Sequence, residues 1–260
     1  MKLKVKKLSL LEDLGNIVTS DNRRIKPRKL FRSSYLIKID KKGEDKLVDK
    51  YHIKKCVDFR TEEEISEFPE LENSRIEYYH FPCLENHENS TVTKENRLGI
   101  LKDISKTKKG AIERMKVFYS LLISSPKAQK AYRNFVDVLL SAKDDEAVVF
   151  HCTQGKDRTG VAMMLLLTML GVDKELIIKR YMRYNRLRGN FRFWVAVGMT
   201  LFKTPKLAVS LDRLIATRKV YIETSYKVIE EKYENADNYI RNVIGVSDNE
   251  IEILKQKYLY

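Results

Sequence analysis

His151-Cys152-Thr153-Gln154-Gly155-Lys156-Asp157-Arg158-Thr159-Gly160 is the stretch on which the reading of this 260-residue chain turns. Immediately before it, Ala147-Val148-Val149-Phe150 is an apolar run of strand length. Immediately after it, Gly160 to Leu167 is apolar at every position, as suits a buried helix. A strand, a tight loop and a helix N-terminus aim backbone N–H groups at an anion. The Cys-x5-Arg span from Cys152 to Arg158 closes that loop on a hole of phosphate size.

Each residue type in the loop has a chemical use. Cys152 is the candidate nucleophile. The helix N-terminus near Thr159, with the cations Lys156 and Arg158, favours its thiolate. Arg158 can grip two phosphate oxygens with one planar fork, which a lysine cannot. The N–H groups from Thr153 to Arg158, those of Gln154, Gly155 and Lys156 among them, can hold the equatorial oxygens through a transition state. Gly155 permits the tight turn and keeps the hole clear of side chains. Thr159 brings a hydroxyl near the sulfur. Asp157 is the candidate general acid. The loop and Arg158 neutralise charge themselves, so the reading needs no metal and no other cofactor. A bare Cys-x5-Arg would also fit a buried cysteine ending a core strand. The full decapeptide in its strand–helix frame outweighs that reading. A nucleotide-binding phosphate loop does not fit, because Asp157 and Phe150 stand where that motif needs Ser or Thr and its first glycine.

The decapeptide resembles the signature of the cysteine-dependent phosphatases. Its Gly-Lys-Asp-Arg-Thr-Gly ending resembles a bacterial branch of tyrosine-phosphatase-like proteins with mixed phosphoprotein and phosphoinositide specificity. Asp13-Leu14-Gly15, Ile25-Lys26-Pro27 and Leu30-Phe31-Arg32-Ser33-Ser34 resemble that branch's N-terminal region. Val57-Asp58-Phe59-Arg60 with Glu63 and Glu64 resembles one of its strand ends, and Tyr79-His80-Phe81-Pro82 the next strand exit. Tyr233, Tyr239-Ile240, Ile244 to Ser247 and Leu254 to Tyr258 resemble its C-terminal helices. The likeness therefore runs from about Asp13 to Tyr258. It implies Asp157 as the acid, Lys156 as a residue linked to phosphoinositide acceptance, and Asp58 as a carboxylate near the pocket. Asp58 equally suits a strand-end residue that caps local backbone. Two positions depart from the family pattern: Glu12 stands where the family has Arg, and Asn16 where it has Gly.

Composition is that of a globular protein, with 43% hydrophobic and 33% charged residues. A net charge of +14 suits acidic partners: a phosphorylated protein, phosphoinositide headgroups, an anionic membrane surface or nucleic acid. Three cysteines without metal-ligand spacing point to a reducing compartment, here the cytoplasm. No signal-peptide core or membrane-length apolar run is present. Cys56 reads as core. Cys83 is a candidate to protect Cys152 as a reversible disulfide.

Strands are expected at Lys29 to Ile37, His52 to Phe59, Arg75 to Phe81 and Ala147 to His151. Their alternation with helical and turn-forming stretches implies an α/β fold with a central, largely parallel sheet flanked by helices. Ligands bind such sheets at the carboxyl ends of the strands, where Asp58 and Cys152 both fall. Helical spacing runs from Ala111 to Leu140, interrupted by Ser125-Pro126, and again from Val172 to Tyr184. Lys206 to Lys232 reads as helical with a break near Thr217, and Ser247 opens a capping box with Glu250. The chain reads as one phosphatase domain over residues 1–260 and as a monomer. Segments 85–125 and 186–204 are read as helical lid insertions, by analogy with the resembled branch.

From Lys179 to Trp194, six cations interleave with five aromatic residues and no acid. This fits a solvated helix face followed by core aromatics, a contact for a phosphorylated substrate, or stacking on nucleic acid, in falling order. Three functions follow: a phosphatase working through a phosphocysteine, a catalytically silent phosphate reader, or a nucleic-acid binder. The first is favoured because nucleophile, acid and arginine are all present.

Overall fold

The chain is described by a computed structural model that covers residues 3, 5, 8–36, 39–69, 75–85, 110–187, 209 and 212–260. Strand β5, Ala147–Cys152, is buried at all its positions. An apolar strand covered on both faces belongs in the middle of a parallel sheet. It pairs in parallel with β2 (Leu30–Ser34) on one side and β3 (Ile53–Asp58) on the other. β1 (Leu11–Asp13) joins β2 antiparallel, and β4 (Glu77–His80) joins β3 in parallel. The order is β1-β2-β5-β3-β4.

Successive strand residues face opposite sides, so each strand feeds two layers. Val148 and Phe150 enter the larger core, and Ala147 and Val149 the smaller one. The smaller core is closed by Tyr51 and by Leu47 of the π-helical stretch that follows α1 (Lys41–Asp45). The larger core collects the helices after β4. These are α3 (Gly110–Ser124), α4 (Pro126–Ser141), α5 (Arg158–Met169), α6 (Lys174–Leu187), α7 (Lys219–Tyr233) and α8 (Asp248–Tyr258). α2 (Glu62–Glu67) is short and buries none of its own residues.

Local chemistry sets the breaks. Pro126 opens α4 with Ser125 as its N-cap, which separates it from α3 as expected. Thr61 with Glu64, and Ser247 with Glu250, form full capping boxes at the starts of α2 and α8. Residues 212–215 are helical and α7 begins only at Lys219, so the chain does break near Thr217.

β1 and the end of β2 depart furthest from expectation. β1 has no alternating signature: Leu11, Glu12 and Asp13 are all buried, the two acids through ion pairing and backbone hydrogen bonds. β2 ends at Ser34, short of Ile37. Within the 85–125 segment, α3 sends Met115, Phe118, Tyr119, Leu122 and Ile123 into the larger core. Residues 86–109 and 188–204, which carry most of the two lid readings, lie outside the described residues.

Candidate active site

β5 ends at Cys152 and α5 begins at Arg158, so the loop occupies the gap at the carboxyl end of the central strand. Gly155 has φ +67, and a Cβ there would lie 2.1 Å from the Ser33 carbonyl oxygen. Only glycine lets the loop fold down onto β2 at that point. Ser34 stands opposite Cys152 in the β2–β5 register. Tyr184 of α6 donates to the Gln154 side-chain carbonyl at 3.3 Å. Thr153 and Gln154 are partly exposed, whereas Cys152 is buried.

Arg158 is clamped end-on. Its Nη1 and Nη2 reach the two carboxylate oxygens of Glu64 at 2.5 and 2.8 Å. Nη1 also donates to the Phe59 carbonyl at 3.3 Å, and Thr153 Oγ1 bonds to Glu64. Nε is buried and, among the described residues, without a hydrogen-bond partner, a donor in reserve on the guanidinium. Thr159 Oγ1, next along the chain, is likewise buried and unpartnered. Burial opposes the Glu64 charge, but the Arg158 cation, its hydrogen bonds and those of Thr153 and Thr61 hold the carboxyl down to about 2. Burial likewise opposes the Arg158 charge, and Glu64 overrides it.

This pairing carries a stability prediction. A carboxyl depressed from 4.5 to about 2 contributes stability that is fully present above pH 4.5 and lost as pH falls through about 2. Glu64→Gln should cost about 3 kcal/mol at neutral pH, the lower end for breaking a buried pair. It should also flatten the acid limb of the stability curve between pH 4.5 and about 2, as urea unfolding against pH will read. An unchanged acid limb would mean that the pair does not form.

Asp157 is the N-cap of α5 yet makes no capping hydrogen bond with its side chain. Its Oδ1 accepts instead from Tyr119 Oη at 2.6 Å, and its Oδ2 lies 3.2 Å from Lys156 Nζ. Lys156 is buried, with its amine also on the Leu214 carbonyl. The loop lysine is therefore engaged by the acid next to it and by the chain before α7.

Asp58 lies at the end of β3, fully buried. Oδ1 accepts from the Arg60 amide at 2.9 Å, and Oδ2 from Arg60 Nε at 2.8 Å and Tyr78 Oη at 2.7 Å. His151 Nδ1 is 3.6 Å away. Burial works against this carboxylate, and His151 and Arg60 outweigh that and lower its pKa. Both oxygens are thus taken up by the protein, the arrangement of the backbone-capping alternative. Cys83 is buried, and burial pushes its thiol up to about 12. Its electrostatic neighbours include Cys152 and Arg158. Cys56 is core, and all three cysteines are free.

The two departures from the resembled pattern have physical explanations. Asn16 sits at φ +63, a conformation that asparagine tolerates better than most residues. Glu12 is buried between three arginines: Arg32 Nε at 2.9 Å, Arg183 Nε at 3.4 Å and Arg180 Nη1 at 3.5 Å. Two cations of the basic stretch thus serve to tie α6 to β1, and its Tyr181 and Tyr184 are core. Residues 188–194 lie outside the described residues.

The sequence named Cys152, Asp157 and Arg158 but gave Glu64 no role and did not point to Tyr119. Glu64 had a signal, the Thr61-x-x-Glu capping box that places its carboxylate at a helix start. Tyr119 had none: it reads as one more apolar position of α3. Among the described residues, no group of three or more His, Cys, Asp or Glu could hold a metal ion, and no helix is long and apolar enough to cross a membrane.

A family model described as "Tyrosine phosphatase family" matches residues 3–260. A Cupriavidus necator protein bearing the name of a tyrosine-protein phosphatase is 32% identical over 113 residues, 43% of this chain and 40% of its own. The triple specificity protein phosphatase PtpB of Mycobacterium tuberculosis is 29% identical over 130 residues, 46% of this chain and 45% of its own. A tyrosine-protein phosphatase of Nostoc commune is 52% identical over 42 residues, 16% and 14% of the two chains. The matched stretches thus span less than half the length of these relatives. With a Cys-x5-Arg loop at the end of the central strand and a family match over residues 3–260, the protein belongs to the tyrosine phosphatase family.

Proposed function

We propose that the chain hydrolyses phosphate monoesters through a phosphocysteine intermediate, with phosphotyrosine in proteins as the first substrate class. Phosphoserine, phosphothreonine and phosphoinositides are the wider candidates, because the Mycobacterium relative is named for three specificities. The observation that supports this reading is Arg158, buried, with its fork fixed by Glu64 and its Nε without a hydrogen-bond partner among the described residues. A guanidinium held in advance stabilises an incoming phosphoryl group without reorganising.

The Cys152 thiolate attacks phosphorus, and the ester bond to the leaving oxygen breaks as Asp157 gives that oxygen its proton. This leaves a thiophosphate on Cys152 and a free alcohol. Asp157, now a carboxylate, takes a proton from water as the water attacks phosphorus. Phosphate leaves, and the thiolate and the acid are restored. The amides of Thr153, Gln154, Gly155 and Lys156 and the Thr159 hydroxyl are assigned to the phosphoryl oxygens and the sulfur. Asp58 is assigned the support of the β3 end through Arg60.

A silent phosphate reader would not need an acid held beside the loop. A nucleic-acid binder is disfavoured because Arg180 and Arg183 are engaged by Glu12. We read the protein as a cytoplasmic monomer whose +14 charge favours acidic substrates and peripheral contact with anionic membranes. Phosphate release from a phosphotyrosine peptide, a phosphoserine peptide and phosphoinositide vesicles, assayed side by side, tests the proposal. Steady release from the phosphotyrosine peptide is expected. Release from none of the three would overturn it.

A further inference from the structure

We propose that Tyr119, with Tyr181 behind it, is a positioning residue for Asp157: the pair orients its carboxyl and fixes which oxygen carries the proton. The proposal rests on the reading of Asp157 as the acid, and its test is built to separate the two.

An aspartate at a helix N-cap ordinarily accepts a hydrogen bond from an amide of its own first turn. Asp157 does not. Its Oδ1 is turned to Tyr119 Oη at 2.6 Å, although Tyr119 belongs to α3, which precedes the loop by some thirty residues of chain. Tyr119 has one hydroxyl proton, and a carboxyl oxygen can take it. In the 2.7 Å contact between the two phenols, Tyr181 is therefore the donor and Tyr119 the acceptor. The result is a directed chain, Tyr181 to Tyr119 to Asp157, in which each bond polarises the next. With Oδ1 committed as acceptor, Oδ2, which faces Lys156 Nζ at 3.2 Å, is the oxygen that takes the proton when the carboxyl is neutral.

The fold maintains the chain at several points. Tyr119 and Tyr181 are both fully buried. Their rings meet edge to face with centroids 6.2 Å apart. A Cβ at residue 160 would lie 3.1 Å from two ring carbons of Tyr181, so Gly160 in the first turn of α5 leaves room for that ring. Burial first, then the charge of Asp157 and the opposite phenol, raises the Tyr119 pKa well above that of a free phenol. Burial and Asp157 do the same for Tyr181. Both therefore remain neutral donors across any working pH.

Among the described residues, the groups that face Asp157 come from four elements. They are Lys156 from the loop, Tyr119 from α3, Tyr181 from α6 and, electrostatically, Tyr221 from α7. The Tyr221 hydroxyl is committed to the Arg213 carbonyl at 2.7 Å. Lys156 and Tyr119 thus carry the direct contacts, one on each oxygen. A donor aimed at a carboxylate favours its ionised form. Removing Tyr119's hydroxyl should let Asp157 keep its proton to higher pH.

The experiment is the pH profile of kcat/KM with an aryl phosphate whose leaving phenol is weakly acidic. In Tyr119→Phe the basic limb should move up by about one pH unit, the shift expected for one hydrogen bond to a charged group. The acid limb should stay where it is. Tyr181→Phe should move the basic limb the same way by less, because it withdraws only the second link. A Tyr119→Phe profile that superimposes on the parent's overturns the proposal. If Tyr119→Phe does not fold, as thermal melting would show, Tyr181→Phe carries the test and an unmoved limb overturns it. Asp157→Asn separates the two readings: it should slow the weakly acidic phenol ester by about 10²–10⁴ and an ester of a strongly acidic phenol far less. Equal effects on both esters would remove Asp157 as the acid, whatever the tyrosine variants do.

Discussion

Arg158→Lys is expected to lower kcat/KM by about 10²–10⁴. Arg158 meets Glu64 with two nitrogens at once, touches the Phe59 carbonyl and retains an unpartnered Nε. A lysine ammonium is a single point and cannot span both Glu64 oxygens while a third donor faces substrate. Loss of the charge-assisted Nε bond at about 1.5–3 kcal/mol, and of a similar amount from the two-point anchorage on Glu64 that aims it, with about 1.4 kcal/mol per tenfold in rate, gives that range. Steady-state assay with a phosphotyrosine peptide reads it. A loss smaller than tenfold would show that the fork is not what stabilises the phosphoryl group. The Glu64→Gln variant serves as a control, since it keeps the guanidinium and removes only the carboxylate that orients it.

Cys152→Ser should abolish turnover, by about 10⁴ or more, as removal of a nucleophile does elsewhere. Binding should survive, because the loop amides, Gly155 and Arg158 do not depend on the sulfur. Isothermal titration with inorganic phosphate should therefore give the variant an affinity near that of the parent. The contrast between lost turnover and kept binding marks a nucleophile, as distinct from a cysteine that holds the strand end in place. Loss of both together would assign Cys152 to structure.

The chain displays the framework of this site more openly than its supports. β5 and α5 are visible because the chemistry lies between two apolar runs, and apolar runs are what sequence patterns report. Gly155 is visible for the same reason that it is needed, since a loop pressed to within a van der Waals contact of β2 admits nothing larger. β1 is hidden because Glu12 and Asp13 are charged, and their burial depends on Arg32 and on turns that arrive later in the chain. Tyr119 is hidden for a related reason: its spacing on α3 is that of a core residue, and it is one, with only its hydroxyl reaching the loop. Asp58 shows the reverse. Its position at a strand end suggests the pocket, while Arg60 and Tyr78 occupy its oxygens. Contacts between residues far apart in sequence leave no local mark, and the pairings of Tyr119 with Asp157 and of Glu64 with Arg158 are both of that kind.

The central claim is that phosphate passes through a covalent bond to one sulfur. Enzyme mixed with a phosphotyrosine peptide, quenched in acid within a single turnover and digested, should yield the peptide bearing Cys152 with one added phosphoryl group, and Asp157→Asn should not prevent that group from appearing. Turnover at the full rate with no phosphoryl group on the Cys152 peptide at any quench time would contradict the account.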